Sequence, residues 1–96
     1  FKLIKITLKH KDFEKVKESS MWLYQVLNQQ LNMPVLGPEE PAISKIRNEY
    51  IRTIMIKIPD TISLQSTKKT IQKVLNSFDV VSQYRAIKVT VNVDFY

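Results

Sequence analysis

Hydrophobic and polar residues alternate near the start of the chain and then change period. From Leu3 to Lys9 every second side chain is apolar, which predicts a strand with one buried face and one wet face. From Asp12 to Leu31 the spacing becomes three and four residues, as along one face of a helix: Phe13, Val16, Ser20, Leu23, Leu27 and Leu31. Asp12 is the predicted N-cap of that helix.

Prolines interrupt the pattern after the first helix. Residues 33–41 hold three of the four prolines and the single glycine, so the backbone must bend there. Val35-Leu36 and then Ala42 to Ile46 are predicted to form a short, interrupted strand at a sheet edge, where proline is tolerated. Arg47-Asn48-Glu49 is the predicted turn that follows.

The second half repeats the order of elements. Tyr50 to Ile58 alternates and is rich in β-branched residues, which predicts a strand that Pro59 ends. Ser63 is the predicted cap of a second helix. Its apolar stripe is Thr67, Ile71, Val74, Leu75 and Phe78. Alternation from Ile87 to Val93 predicts the last strand.

The predicted order is therefore strand, helix, strand, strand, helix, strand. This order is typical of an α+β, ferredoxin-like βαββαβ fold, with a four-stranded antiparallel sheet and two helices on one face. The other face of the sheet is then open. A chain of 96 residues suits a single domain spanning 1–96.

Composition narrows the chemistry. Cysteine is absent and His10 is the single histidine, so cysteine-based and multi-histidine metal sites are excluded. His10 is best interpreted as a solvated residue at a strand end. One glycine cannot build a phosphate-binding loop, and the nine acidic residues are scattered. Fifteen Lys and Arg against nine Asp and Glu give a net charge of +6, which favours a polyanionic partner.

The polar residues that alternate with apolar ones on the predicted strands are candidate contacts for such a partner. Six residues should project from one face of the sheet: Lys5, Thr7, Lys9, Thr53, Lys57 and Lys88. A face of this kind can follow a phosphate backbone, and the alternative is that its lysines only solvate the sheet. Around the predicted turn, Arg47, Tyr50 and Arg52 suit a junction or a partner surface.

The helices carry further candidates. Lys68, Lys69 and Lys73 form a basic patch on the second helix, which suits an acidic peptide or is simply a solvated face. Trp22 and Tyr24 lie beside the apolar face of the first helix and are interpreted as core or interdomain packing.

Several segments resemble one known family. They are Val35-Leu36-Gly37-Pro38-Glu39-Glu40-Pro41-Ala42, then Ile46-Arg47-Asn48-Glu49-Tyr50, then Ile54-Met55-Ile56-Lys57, and the closing Val91-Asn92-Val93-Asp94. Together they are similar to the C-terminal domain of the PriA replication-restart helicases (primosomal protein N prime). The resemblance covers the whole chain in the right order.

The resemblance implies an accessory domain without catalytic activity, at the end of an ATP-dependent 3′ to 5′ DNA helicase of the bacterial cytoplasm. It implies forked or single-stranded DNA, single-stranded DNA-binding protein, other primosome proteins and the remaining helicase domains as partners, and no membrane. ATP, Mg²⁺ and zinc would be bound elsewhere in that parent, with no cofactor here. The phosphate contacts would be Lys5, Lys9, Arg47, Arg52, Lys57 and Lys88, and the partner contacts Gln65, Lys68 and Lys69. The alternative is a structural or protein-docking module without direct DNA binding.

Overall fold

The chain folds into one antiparallel sheet with two helices. The computed structural model describes residues 1–40, 45–81, 84 and 86–95, of which 45, 46, 94 and 95 by their backbone alone. The elements in chain order are β1 (Lys2–His10), α1 (Phe13–Gln30), β2 (Val35–Glu39), β3 (Lys45–Ile46), β4 (Glu49–Ile58), α2 (Leu64–Val80) and β5 (Lys88–Phe95).

Sheet topology confirms the predicted fold class. The strand order is β2-β4-β1-β5, with the short β3 also pairing with β4. All of these pairs are antiparallel. If β2 and β3 count as one interrupted strand, the order is that of the βαββαβ, ferredoxin-like fold. The predicted segment Ala42 to Ser44 lies outside the described residues.

The core lies between one face of the sheet and the two helices. Alternate residues of the central strands supply the sheet side, and Ile4, Ile6 and Leu8 of β1 are fully buried. Their register partners on β4 include Ile56 and Ile54, which are also fully buried. Residues that are partners across two strands share a face of the sheet. Because the apolar residues of β1 and β4 are partners of this kind, they form one continuous apolar surface.

Each helix begins at the predicted cap and buries the predicted stripe. The Asp12 carboxylate accepts a hydrogen bond from the Glu14 N–H at 3.0 Å, and the Ser63 hydroxyl accepts one from the Ser66 N–H at 3.3 Å. Such bonds satisfy N–H groups that have no partner inside the helix. Both stripes are buried or half-buried. No helix among the described residues is long and apolar enough to cross a membrane.

Two local features shape the β2 and β3 side of the sheet. The register of β2 on β4 shifts between Leu36 and Glu39, where Gly37 has a φ of 111°. Between β3 and β4, Arg47 and Asn48 form a two-residue turn with φ values of 51° and 66°. Two positive φ values suit the right-handed twist of a hairpin, and asparagine tolerates them well. The predicted turn was one residue longer, since Glu49 already belongs to β4.

Candidate nucleic-acid interface

The sheet face turned away from the helices, called the open face below, has its residues in rows across the strands. Thr53 of β4 is opposite Thr7 of β1, and Thr7 is opposite Thr90 of β5. A lysine row lies on one side of this threonine row, with Lys9 opposite Lys88. On the other side, Lys5 lies between Met55 and Asn92. Since partners in register share a face, the six predicted residues do lie on one face.

Two lysines of the central strand have no ion-pair partner within the described part of the chain. Lys5 and Lys9 are half-buried at the sides of Thr7, and none of the ion pairs found there includes them. Along a strand they are about 13 Å apart. They lie on β1, which has β4 on one side and β5 on the other, so we expect their aliphatic stems to pack among neighbours and their ammonium groups to extend toward solvent.

The two other open-face lysines already have neighbours. Lys88 Nζ lies 3.2 Å from Oε1 of Glu49, and the lysine side chain is 69% exposed. Lys57 Nζ lies 5.4 Å from the centroid of the Phe1 ring, a cation–π distance. An exposed ion pair of this kind is weak, so Lys88 can exchange Glu49 for another anion at small cost.

Arg52 lies on the helix side of the sheet. It is opposite Leu8, and its guanidinium carbon is 5.6 Å from the Phe13 ring centroid. It donates a hydrogen bond to Glu40 at 3.1 Å, and its side chain is 16% exposed. The ring of Tyr50 meets Phe13 edge-on at 5.3 Å. The predicted cluster of Tyr50 with Arg52 therefore exists, centred on Phe13, whereas Arg47 is exposed in the turn.

The predicted partner contacts lie on the helix side. Gln65, Lys68 and Lys69 are exposed on the first two turns of α2. The structure thus separates them from the open face, because α2 packs on the opposite side of the sheet. Their role stays a prediction, as do the phosphate contacts.

Other residues raised by the sequence have structural roles here. His10 Nδ1 accepts a hydrogen bond from the Asp12 N–H at 2.9 Å, so it joins β1 to the cap of α1. Trp22 packs against Phe78 and Tyr84, with ring centroids 5.8 and 6.2 Å away.

The residues predicted from the sequence to lie on the open face did not include three that the structure places there. Thr90 and Asn92 continue the rows of β1 onto β5, and Glu49 pairs with Lys88. The alternation of β5 contained the signal for Thr90 and Asn92, since they share parity with Lys88. Nothing in the sequence pointed to Glu49, because its contact with Lys88 depends on how β4 and β5 are each aligned with β1.

Comparison with known proteins gives a family and a fold. The family model described as primosomal protein N C-terminal domain matches residues 1–96. No curated protein matches the chain. The crystal structure of a hydantoinase/carbamoylase family amidase from Burkholderia ambifaria is similar, with a TM-score of 0.52 and 9% identity over 98% of this chain. The match spans 28% of that solved chain, and at this identity the likeness concerns the fold alone.

Proposed function

Because the chain belongs to the primosomal protein N C-terminal domain family, we propose that it is a non-catalytic, DNA-contacting domain of a replication-restart helicase. The open face is the proposed contact surface. Its partner is the phosphate backbone of forked or single-stranded DNA.

The observation that carries this proposal is the position of Lys5 and Lys9 beside the threonine row, without an ion pair to any described residue. Lys5 and Lys9 have no carboxylate partner among the described residues, so no ion pair within that part of the chain must be broken when they bind a phosphate. The Thr7 and Thr90 hydroxyls and the Asn92 amide are neutral groups that also bind phosphate oxygens. Thr53 is 6% exposed and its hydroxyl donates to the Glu39 backbone oxygen, so it is not one of these contacts. Lys57 and Lys88 extend the same surface on either side of β1.

The surface favours phosphate over base recognition. The described open-face side chains of β1, β4 and β5 are lysine, threonine, asparagine, glutamate, methionine and aliphatic residues, without an aromatic ring. The Phe1 ring, just before β1, lies beside Lys57. Domains that read single strands by stacking place aromatic side chains on such a face. We therefore expect binding that is independent of sequence and falls steeply with salt.

A salt titration tests the proposal. Fluorescence anisotropy with single-stranded and forked DNA should show binding at low salt, and Lys5→Ala/Lys9→Ala should weaken it roughly tenfold. The slope of log affinity against log salt should become shallower by about one for each lysine that contacts a phosphate.

The matched control is Lys17→Ala/Lys73→Ala, which removes the same charge from exposed positions on α1 and α2. It should change the slope little. Equal losses in the two double variants would show that net charge, and not the open face, is responsible. No binding by the native chain even at low salt would favour the alternative, a structural or protein-docking module.

The remaining parts of the proposal concern the parent protein and further contacts made by this chain. We place the chain in an ATP-dependent 3′ to 5′ helicase of the bacterial cytoplasm, whose ATP, Mg²⁺ and zinc are bound outside residues 1–96. Arg47, exposed in the turn, is proposed as a further phosphate contact. Arg52 lies on the helix side of the sheet and is bound to Glu40, so its predicted phosphate contact is not part of the open-face proposal. Gln65, Lys68 and Lys69 are the proposed contacts for single-stranded DNA-binding protein. Their support is the exposure of all three on one end of α2, away from the DNA face.

A further inference from the structure

One carboxylate lies on the otherwise neutral and basic open face. Glu49 is the first residue of β4, and the alternation of that strand gives it the same face as Thr53 and Lys57. Among the side chains that the structure describes on the open face of β1, β4 and β5, it is the acidic one. A carboxylate repels the phosphate groups that the surrounding lysines attract, so its position bears directly on the proposed contact with DNA.

Glu49 binds a lysine of the same face. Its Oε1 accepts a hydrogen bond from Lys88 Nζ at 3.2 Å. The two residues belong to β4 and β5, which lie on opposite sides of β1. Strands two apart are separated by about 10 Å, so both side chains must reach across β1 to meet. Because Lys88 is in register with Lys9, the ion pair crosses β1 close to the lysine row.

The two partners of this ion pair differ in how accessible they are. The Glu49 side chain is 21% exposed, whereas the Lys88 side chain is 69% exposed. The long, exposed lysine can therefore turn toward an incoming phosphate, while the more enclosed carboxylate stays beside the place that the lysine left. A phosphate that binds Lys88 must displace Glu49 and then remain next to its negative charge.

We propose that Glu49 is an internal competitor of DNA, which binds Lys88 in the free protein and lowers the affinity of the open face for phosphate. This inference rests on the proposed function and assigns a role to the carboxylate on that face. An exposed ion pair changes an equilibrium constant by up to roughly fivefold, and repulsion between the carboxylate and the phosphate adds to this effect. Both contributions weaken as salt rises, because salt screens exposed charges.

Fluorescence anisotropy with single-stranded and forked DNA measures the competition. Glu49→Gln should strengthen binding roughly three- to tenfold at low salt, because it removes both the competing bond and the negative charge. The slope of log affinity against log salt should become steeper by about one, since Lys88 then contacts a phosphate without releasing a carboxylate.

The matched control is Glu18→Gln, which removes the same charge from an exposed position on α1, on the other side of the sheet. It should change the affinity by less than twofold, and circular dichroism of both variants should match the native spectrum. Equal gains in the two variants would show that net charge alone sets the affinity, which overturns the proposal.

Glu49→Asp separates the ion pair from the charge. Aspartate keeps the negative charge but is shorter by one methylene group, so it should not reach Lys88 across β1. The affinity should rise roughly two- to threefold although the net charge is unchanged, and this gain should disappear when Lys88→Ala is added. An affinity equal to that of the native chain would contradict the competition for Lys88.

Failure of this inference is distinguishable from failure of the proposed function. If the native chain binds DNA and Glu49→Gln does not bind it more tightly, Glu49 is not a competitor, while the open face remains the contact surface. If neither the native chain nor Glu49→Gln binds DNA at low salt, the proposed function fails and this inference fails with it.

Discussion

Phe78→Ala lowers the free energy of unfolding by about 3–5 kcal/mol. Phe78 is fully buried on α2, and its ring stacks on Tyr84 with a centroid distance of 5.3 Å. It also contacts Trp22, so truncation leaves a cavity beside the two remaining rings, Trp22 of α1 and Tyr84 before β5. A domain of this size has roughly 5–15 kcal/mol of stability in total, so the variant is expected to be close to unfolding.

Urea unfolding followed by circular dichroism measures this loss. Trp22 is the single tryptophan and lies within the cluster, so its fluorescence reports on the same site independently. Val80→Ala on the same helix is the matched control and should change stability by less than about 0.5 kcal/mol, because Val80 is 76% exposed. A loss below about 1 kcal/mol for Phe78→Ala would show that the helices do not share this core.

Gly37→Ala lowers the free energy of unfolding by about 2–3 kcal/mol. Gly37 has a φ of 111°, which side-chain-bearing residues rarely adopt. A Cβ atom there would lie 2.7 Å from the backbone oxygen of Thr53, so the β2 edge would have to move away from β4. Backbone atoms of a paired strand cannot move aside as a flexible side chain can. The strain of a positive φ in alanine adds to this clash.

The control for this variant is Leu36→Ala, one residue earlier and 43% exposed on the open face. It removes apolar surface without changing the backbone and should lower stability by less than about 1 kcal/mol. Thermal unfolding of both variants gives the comparison. If the two losses were equal, the positive φ of Gly37 would not constrain this edge.

Much of the fold could be predicted from the sequence, because side-chain period reports directly on which face is buried. Alternation located β1, β4 and β5, while steps of three and four located both helices. Asp12 and Ser63 were correctly predicted as caps, since short polar side chains before an apolar stripe satisfy free N–H groups. The turn was harder, because only the backbone shows that Arg47 and Asn48 alone close the hairpin.

For the candidate site, the sequence predicted which side chains share a face of the sheet, but not which carboxylate pairs with which cation. Parity placed Lys5, Lys9, Lys57 and Lys88 on one face, and the structure confirms that arrangement. The same parity, continued along β4, would have placed Arg52 with Ile54 on the helix side. Which carboxylate meets which cation could not be read from the sequence. Glu40 meets Arg52 and Glu49 meets Lys88 because of strand register and chain bends.

The central claim is that the open face of the sheet contacts the phosphate backbone. Nuclear magnetic resonance titration of the labelled chain with a short single-stranded oligonucleotide tests it most directly. The account predicts shifts at Thr7 and Thr90 and at the Lys5 and Lys9 side chains, with α1 and α2 unchanged. Shifts confined to the outer surfaces of the helices, around Trp22 or Lys73, with the threonine row unchanged, would contradict it.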